Sequence, residues 1–178
     1  MKYDCAIIGA GPGGIFTAFE LVRLKQELKI CILEAGNPLE KRKCPIDGVK
    51  IKGCINCPTC AIMNGFGGAG AFSDGKYNIT NEFGGNLHQY IGKKEAIELM
   101  RYVDTINCKY GGDKTKLYST ASSAFKTKCL QNGLHLLDAS VRHLGTDINY
   151  EVLENLYAHL KDKVEFHFLT RVEHGEKT

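Results

Sequence analysis

Residues 3–34 constrain what this chain can fold into more than any other segment. Tyr3-Asp4-Cys5-Ala6-Ile7-Ile8 is a short apolar run of the kind a buried parallel strand shows, and Gly9-Ala10-Gly11-Pro12-Gly13-Gly14 follows at once. From Ile15 to Gln26 the apolar residues Ile15, Phe16, Phe19, Val22 and Leu24 fall largely on one helical face. Ile30-Cys31-Ile32-Leu33 then reads as a second buried strand, ending at Glu34. The order is strand, glycine turn, helix, strand, acid.

Each residue type in that order has a physical task. Gly9 permits a tight turn, Gly11 lets a pyrophosphate approach bare backbone, and Gly14 lets the helix pack against the strand. The start of the helix, from Pro12 and Gly13 onward, offers unpaired N–H groups and the positive end of its dipole to phosphate oxygens. Glu34 lies twenty residues past Gly14, where a carboxylate can accept hydrogen bonds from both ribose hydroxyls of an adenosine. A 2′-phosphate would be repelled there, so the pattern prefers FAD or NAD to NADP. A glycine-rich turn that holds no ligand is the alternative, and the flanking strands, helix and acid weigh against it. With Pro12-Gly13-Gly14 at the extreme N-terminus, the segment resembles the FAD-binding half of flavoprotein oxidoreductases of the glutathione-reductase type.

Composition narrows the remaining classes. The chain has 178 residues, 43% hydrophobic and 24% charged, with a formal charge of +3. These globular proportions exclude a disordered chain, a coiled coil and a collagen-like fibre. The small, dispersed charge gives no support for nucleic-acid binding. No apolar run reaches the roughly 18 residues a membrane helix needs, so no membrane association is expected. The apolar start is broken by glycines and Pro12, with Glu20 and Arg23 following, unlike a signal peptide. A cytoplasmic protein is expected, in which cysteines serve as thiols, metal ligands or catalytic groups.

Residues 36–92 break the helix–strand alternation. Cys54-Ile55-Asn56-Cys57-Pro58-Thr59-Cys60 places three thiols at every third position, with Cys44 ten residues earlier. Four thiolates can surround a tetrahedral zinc or hold an iron–sulfur cluster. A Cys-x-x-Cys pair can instead exchange with a disulfide, and four reduced, unliganded thiols in a loop are the plainest reading. Gly65-Phe66-Gly67-Gly68-Ala69-Gly70-Ala71-Phe72-Ser73-Asp74-Gly75-Lys76 follows. So many small residues suggest backbone packed against a flat ligand or another backbone. Gly67, Gly68, Ala69 and Gly70 are candidates for that approach, and Ser73 and Asp74 for polar contacts to a flavin ring or ribityl chain. A flexible loop is the alternative, although the interspersed aromatic residues argue against a linker. Arg42, between Lys41 and Lys43, belongs either to a solvated surface or against the pyrophosphate, where a planar guanidinium binds oxygens in pairs.

Arg42-Lys43-Cys44-Pro45, Cys54 through Cys60, GFGGAGAFSDGK, Asn78-Ile79-Thr80 and the later Arg142-His143-Leu144-Gly145-Thr146-Asp147 together resemble the uncharacterised FAD-dependent dehydrogenases. That group is distantly similar to flavoproteins with a GGGRCNxTN signature. The resemblance runs from residue 1 to about 172. It implies an α/β, Rossmann-like FAD/NAD(P)-binding fold, with FAD held along Gly9 to Gly14, Glu34 and Ala35. Members of the family are more than twice this length, so the resemblance implies an N-terminal, incomplete portion of a dehydrogenase.

The second half is read from periodicity. Lys93 to Tyr110 and Ser119 to Gln131 have helical spacing, the latter with Ser119 or Thr120 as N-cap. Leu134 to Leu144 alternates like a strand. Asp147 can cap a helix from Tyr150 to Lys161, and Val164 to Leu169 reads as a further strand. The expected organisation is 1–92 for the first part of the nucleotide-binding domain with its Cys/Gly-rich insertion, 93–145 for a piece of a second domain, and 146–178 for a return to the first sheet. His143, inside the family-like Arg142–Asp147 stretch, is either a surface or structural histidine, as the others are, or one that faces a substrate or flavin. The expected function is FAD-dependent oxidation or reduction of a small-molecule substrate, with NAD(P)H or another donor as electron partner and no assignable acid, base or nucleophile. The competing class is a non-catalytic nucleotide- or metal-binding module with a cysteine-ligated structural zinc.

Overall fold

The computed structural model describes residues 2–121 and 123–176; Ser122, inside the helix expected over 119–131, lies outside them. In chain order the elements are β1 (Cys5–Ile8), α1 (Pro12–Leu24), β2 (Ile30–Leu33), β3 (Lys76–Ile79), α2 (His88–Ile91), α3 (Lys93–Lys109), β4 (Leu117–Ser119), α4 (Phe125–Gln131), β5 (Ser140–His143), α5 (Gly145–Leu160) and β6 (Val164–His167). The fold is mixed α/β, with one small parallel sheet and one small antiparallel sheet. The chain forms two compact units: the residues up to Phe72 together with those from Leu153 onward, and Ser73–Val152.

In the first unit the sheet order is β1-β2-β6, all parallel, with Cys5 opposite Ile30 and Ile30 opposite Val164. The apolar run Ile30-Cys31-Ile32 becomes the central strand because a strand covered on both faces needs no polar alternation; all three residues are buried. A two-residue hairpin cannot join parallel strands, and the 13-residue α1 makes the crossover from β1 to β2. Pro12 suits its first turn, where the missing N–H costs nothing. The helix buries Ile15, Ala18 and Phe19, three and four residues apart. Phe66 is fully buried, with its ring centroid 5.0 Å from Tyr157 and 5.9 Å from Phe166. Edge-to-face pairs of this kind contribute about 0.5–1.5 kcal/mol each beyond area burial.

The second unit holds the antiparallel sheet in the order β3-β5-β4, with Lys76 opposite His143 and Leu117 opposite Arg142. The pairing of β3 with β5 carries residues 73–92 into this unit, whereas the sequence expectation kept them with the nucleotide-binding part. Arg142 is buried on β5; its Nε and Nη2 donate to the two carboxylate oxygens of Asp104 on α3, at 2.6 and 2.8 Å. Among the described residues no helix is long and apolar enough to cross a membrane.

Candidate glycine–carboxylate site

The turn between β1 and α1 is built as the residue types require. Gly9 adopts φ +94°, a conformation L side chains rarely take, and its N–H donates to the Leu33 carbonyl across the sheet at 2.8 Å. At Gly14 a Cβ would stand 1.9 Å from the Gly9 carbonyl oxygen, so only a glycine allows the helix this close to the strand. At Gly11 the nearest atom to an added Cβ is the Cα of Gly68 at 4.0 Å, and at Gly13 nothing stands within 4 Å. The first turn of α1 has neither a side-chain cap nor an acidic residue, and Pro12 and Gly13 are exposed. The first-turn amides of a helix have no intrahelical acceptor, and the positive end of the helix dipole lies at this end.

Glu34 directly follows β2 and is buried, 6% exposed. Its Oε2 accepts the Ala10 N–H at 2.7 Å, and its Oε1 accepts the N–H groups of Gly36 and Gly65, each at 2.8 Å. One carboxylate thus binds the glycine turn, the chain just after β2 and the start of the second glycine run, 31 residues away. A carboxylate has about four acceptor sites, so three are taken and one remains. Ala35 beside it is half-buried.

The second glycine run lies on the first. Gly67 donates its N–H to the Ala10 carbonyl at 2.8 Å, and a Cβ on Gly68 would meet the Cα of Gly11 at 3.1 Å. The small residues here serve an approach of backbone to backbone, one of the two uses the sequence suggested. A Cβ on Gly36 would stand 2.3 Å from the Gly65 nitrogen, a second such approach. Ala69 and Gly70 are exposed on the short 3-10 turn Gly68–Phe72. Ser73 and Asp74 begin the second unit. The Ser73 hydroxyl accepts the Gly75 N–H at 3.2 Å, and the exposed Asp74 carboxylate pairs with Lys76 Nζ at 2.6 Å, which holds its carboxyl below the usual range. His143, in the same unit, is exposed at the end of β5.

Arg42 is the residue whose surroundings differ most from both alternatives read in the sequence. It is 6% exposed, and its N–H groups donate to four carbonyls: Ala61, Phe66, Gly68 and Ile62, at 2.7–2.9 Å. The Phe72 ring lies 4.8 Å from its guanidinium carbon. Burial pulls its pKa down, and the Glu34 charge opposes that pull. The guanidinium is thereby committed to joining the chain just before the second glycine run to the first residues of that run.

Cys44, Cys54, Cys57 and Cys60 line one cavity of about 260 Å³. Among the described residues, no three Cys, His, Asp or Glu side chains stand where a single ion would touch them all. Cys31 is buried in β2, while Cys5, Cys108 and Cys129 are half-buried on β1, α3 and α4.

Sequence reasoning passed over Gly36, Gly65 and the Ala10 amide, which complete the Glu34 cluster. Gly36 lies only two residues from Glu34, whereas Gly65 lies 31 residues away and nothing local pairs it with that acid.

No protein-family model matches the chain. A stretch of 76 residues is 39% identical to an uncharacterized protein of Clostridium beijerinckii. The match covers 43% of this chain and 14% of that protein, so the chain spans well under two thirds of this relative's length.

Proposed function

We propose that the first unit is the adenine-dinucleotide-binding portion of an FAD-dependent oxidoreductase, its parallel sheet being the first half of a Rossmann-like fold. The observation that carries the proposal is the conjunction at Gly11–Gly14. An uncapped helix start without an acid in its first turn follows a strand whose neighbour is followed at once by Glu34. Gly11 and Gly13 leave open space on the side where a Cβ would project. In open parallel sheets, ligands bind outside the carboxyl ends of the strands, where this turn lies.

FAD would supply the electron chemistry by exchanging hydride at its flavin ring. The chain's own residues bind and orient. The Gly13 and Gly14 amides would donate to pyrophosphate oxygens, and the open side of Gly11 would let those oxygens come close. Glu34 would offer its remaining lone pair to an adenosine ribose hydroxyl. Its carboxylate would repel a 2′-phosphate, so FAD or NAD is favoured over NADP. Arg42 would act on the ligand indirectly, by holding Gly68 against Gly11 through the Gly68 carbonyl. The oxidoreductase activity, its small-molecule substrate and its electron donor, NAD(P)H or another reductant, are proposed for the whole protein.

ADP, which carries the adenosine and diphosphate alone, is the direct probe. Gly11 has φ −76° and ψ −178°, open to any residue, and an alanine Cβ there would touch only Gly68 Cα at 4.0 Å. Gly11→Ala should therefore keep the wild-type circular dichroism and melting temperature. It should weaken ADP binding at least ~10-fold, equivalent to about 1.4 kcal/mol. Wild-type ADP affinity in a folded Gly11→Ala protein would refute the proposal.

A further inference from the structure

The segment from Lys43 to Ala61 has none of the usual means of staying folded. It contains no helix or strand, and none of its residues is buried. Its larger apolar side chains lie open: Ile46 is 43% exposed, Val49 76% and Ile55 56%. A segment without an apolar core needs another source of ordering, and in small folds that source is often a disulfide or a metal.

Its cysteines are nevertheless gathered. Arg42, just before the segment, donates to the carbonyls of Ala61, its last residue, and Ile62, the next, and so closes the loop at its base. That closure brings Cys44 and Cys60 to the same end of the loop. Asp47 Oδ1 accepts the N–H groups of Val49, Lys50 and Ile51, folding the chain back so that Cys54 and Cys57 return to the same cavity. Asn56, between them, has φ +52°, and its N–H donates to Cys54 Sγ at 3.5 Å.

We propose that Cys44, Cys54, Cys57 and Cys60 form a tetrathiolate site for a single thiophilic divalent cation, zinc being the probe, and that this ion orders the 43–61 loop. The chemistry of the donor set fits: four soft sulfurs select zinc-like ions, and a closed set of four leaves no position for catalysis. A zinc tetrathiolate carries a net charge of −2. Residues 41–52 contain Lys41, Arg42, Lys43, Lys50 and Lys52 against the single acid Asp47, a local excess of positive charge that offsets it. The four sulfurs share the cavity without converging on one point, so binding draws the loop inward. This site is independent of the dinucleotide reading, because it needs no nucleotide to fill.

The experiment is a zinc titration of the whole reduced chain in competition with a chromophoric chelator, paired with limited trypsin digestion. The expected result is one equivalent of zinc, together with protection of the bonds after Lys50 and Lys52. Cys57→Ser should weaken zinc binding at least ~100-fold, since loss of a supporting residue alone costs 10–100-fold in metal affinity. Cys129→Ser, on α4, should bind zinc as the wild type does and reports whether a Cys→Ser change merely disturbs folding. Three results would each overturn the proposal: no zinc uptake; Cys57→Ser binding zinc as tightly as wild type; or zinc uptake that leaves cleavage after Lys50 and Lys52 unchanged.

Discussion

At the residue scale, Glu34 is the group on which the first unit turns. Its two oxygens hold three buried backbone N–H groups from three separate stretches of chain. Leaving a buried donor unsatisfied costs about 1–3 kcal/mol, so Glu34→Ala should lower the stability measured by urea denaturation by at least ~3 kcal/mol. Glu34→Gln keeps one accepting oxygen and turns an NH₂ toward a donor, so its loss should be smaller. A Glu34→Ala protein within about 0.5 kcal/mol of wild type would show that the cluster does not hold the turn. Gly14 and Gly11 form a contrast of the same kind. Gly14→Ala drives a Cβ into the Gly9 carbonyl and should prevent the cooperative thermal transition that Gly11→Ala retains. Tyr3 carries a pH prediction. Its hydroxyl lies 3.0 Å from His167 Nε2, and its hydrogen bond to Glu165 with some desolvation pushes its pKa from 10 up to about 12. A raised pKa means the neutral phenol is favoured in the folded state. The stability it confers is complete below pH 10 and is lost as pH rises toward 12. Tyr3→Phe should remove that part of the alkaline loss, measured as the difference between the two proteins' denaturation midpoints across this interval.

At the scale of elements, the β1–α1–β2 unit was legible because its determinants are local. An apolar run, a glycine turn and a 3.6-residue period fix each piece in turn, and Ile30–Leu33 forms as read. The same holds for α3, which begins at Lys93 as its spacing predicts and buries Ala96 and Ile106. The segment around residue 120 shows the limit. The sequence places Ser119 or Thr120 at a helix N-cap, whereas Ser119 ends β4 and α4 begins only at Phe125. Thr120 is drawn toward the sheet instead: its N–H donates to the Ala139 carbonyl and its hydroxyl to that of Leu137. A strand partner twenty residues away outweighs a local capping preference, and it leaves no signal in the sequence around it. The strand expected over 134–144 shortens to Ser140–His143 for a related reason, since the pairing of β3 with β5 ends at Ile79 opposite Ser140. Arg42 shows the same limit at the site: its residue type suggested an anion partner, but its four carbonyl partners, at 61, 62, 66 and 68, lie 19–26 residues away. Within the second unit, the Arg142–Asp104 pair joins β5 to α3 with side chains only 10% and 12% exposed. Removing one partner of a buried pair costs about 3–5 kcal/mol. Asp104→Asn should therefore lower the unfolding free energy by that order in chemical denaturation, and a loss under about 1 kcal/mol would mean the pair is effectively solvated.

At the scale of the whole molecule, the chain is mixed α/β, with a parallel sheet in one unit and an antiparallel sheet in the other. Every residue of the proposed nucleotide contact, from Gly11 to Glu34, belongs to the first unit, as do the four clustered cysteines. We propose that phosphate oxygens rest on the amides where the turn becomes α1. The measurement that reaches it most directly is an ADP titration followed through the backbone amide resonances of the isotope-labelled chain. The account predicts that the Gly11, Gly13 and Gly14 amides shift first and furthest, with the Gly67 and Gly68 amides following because they pack on that turn. Shifts confined to other segments, or a spectrum that ADP leaves unchanged, would contradict it.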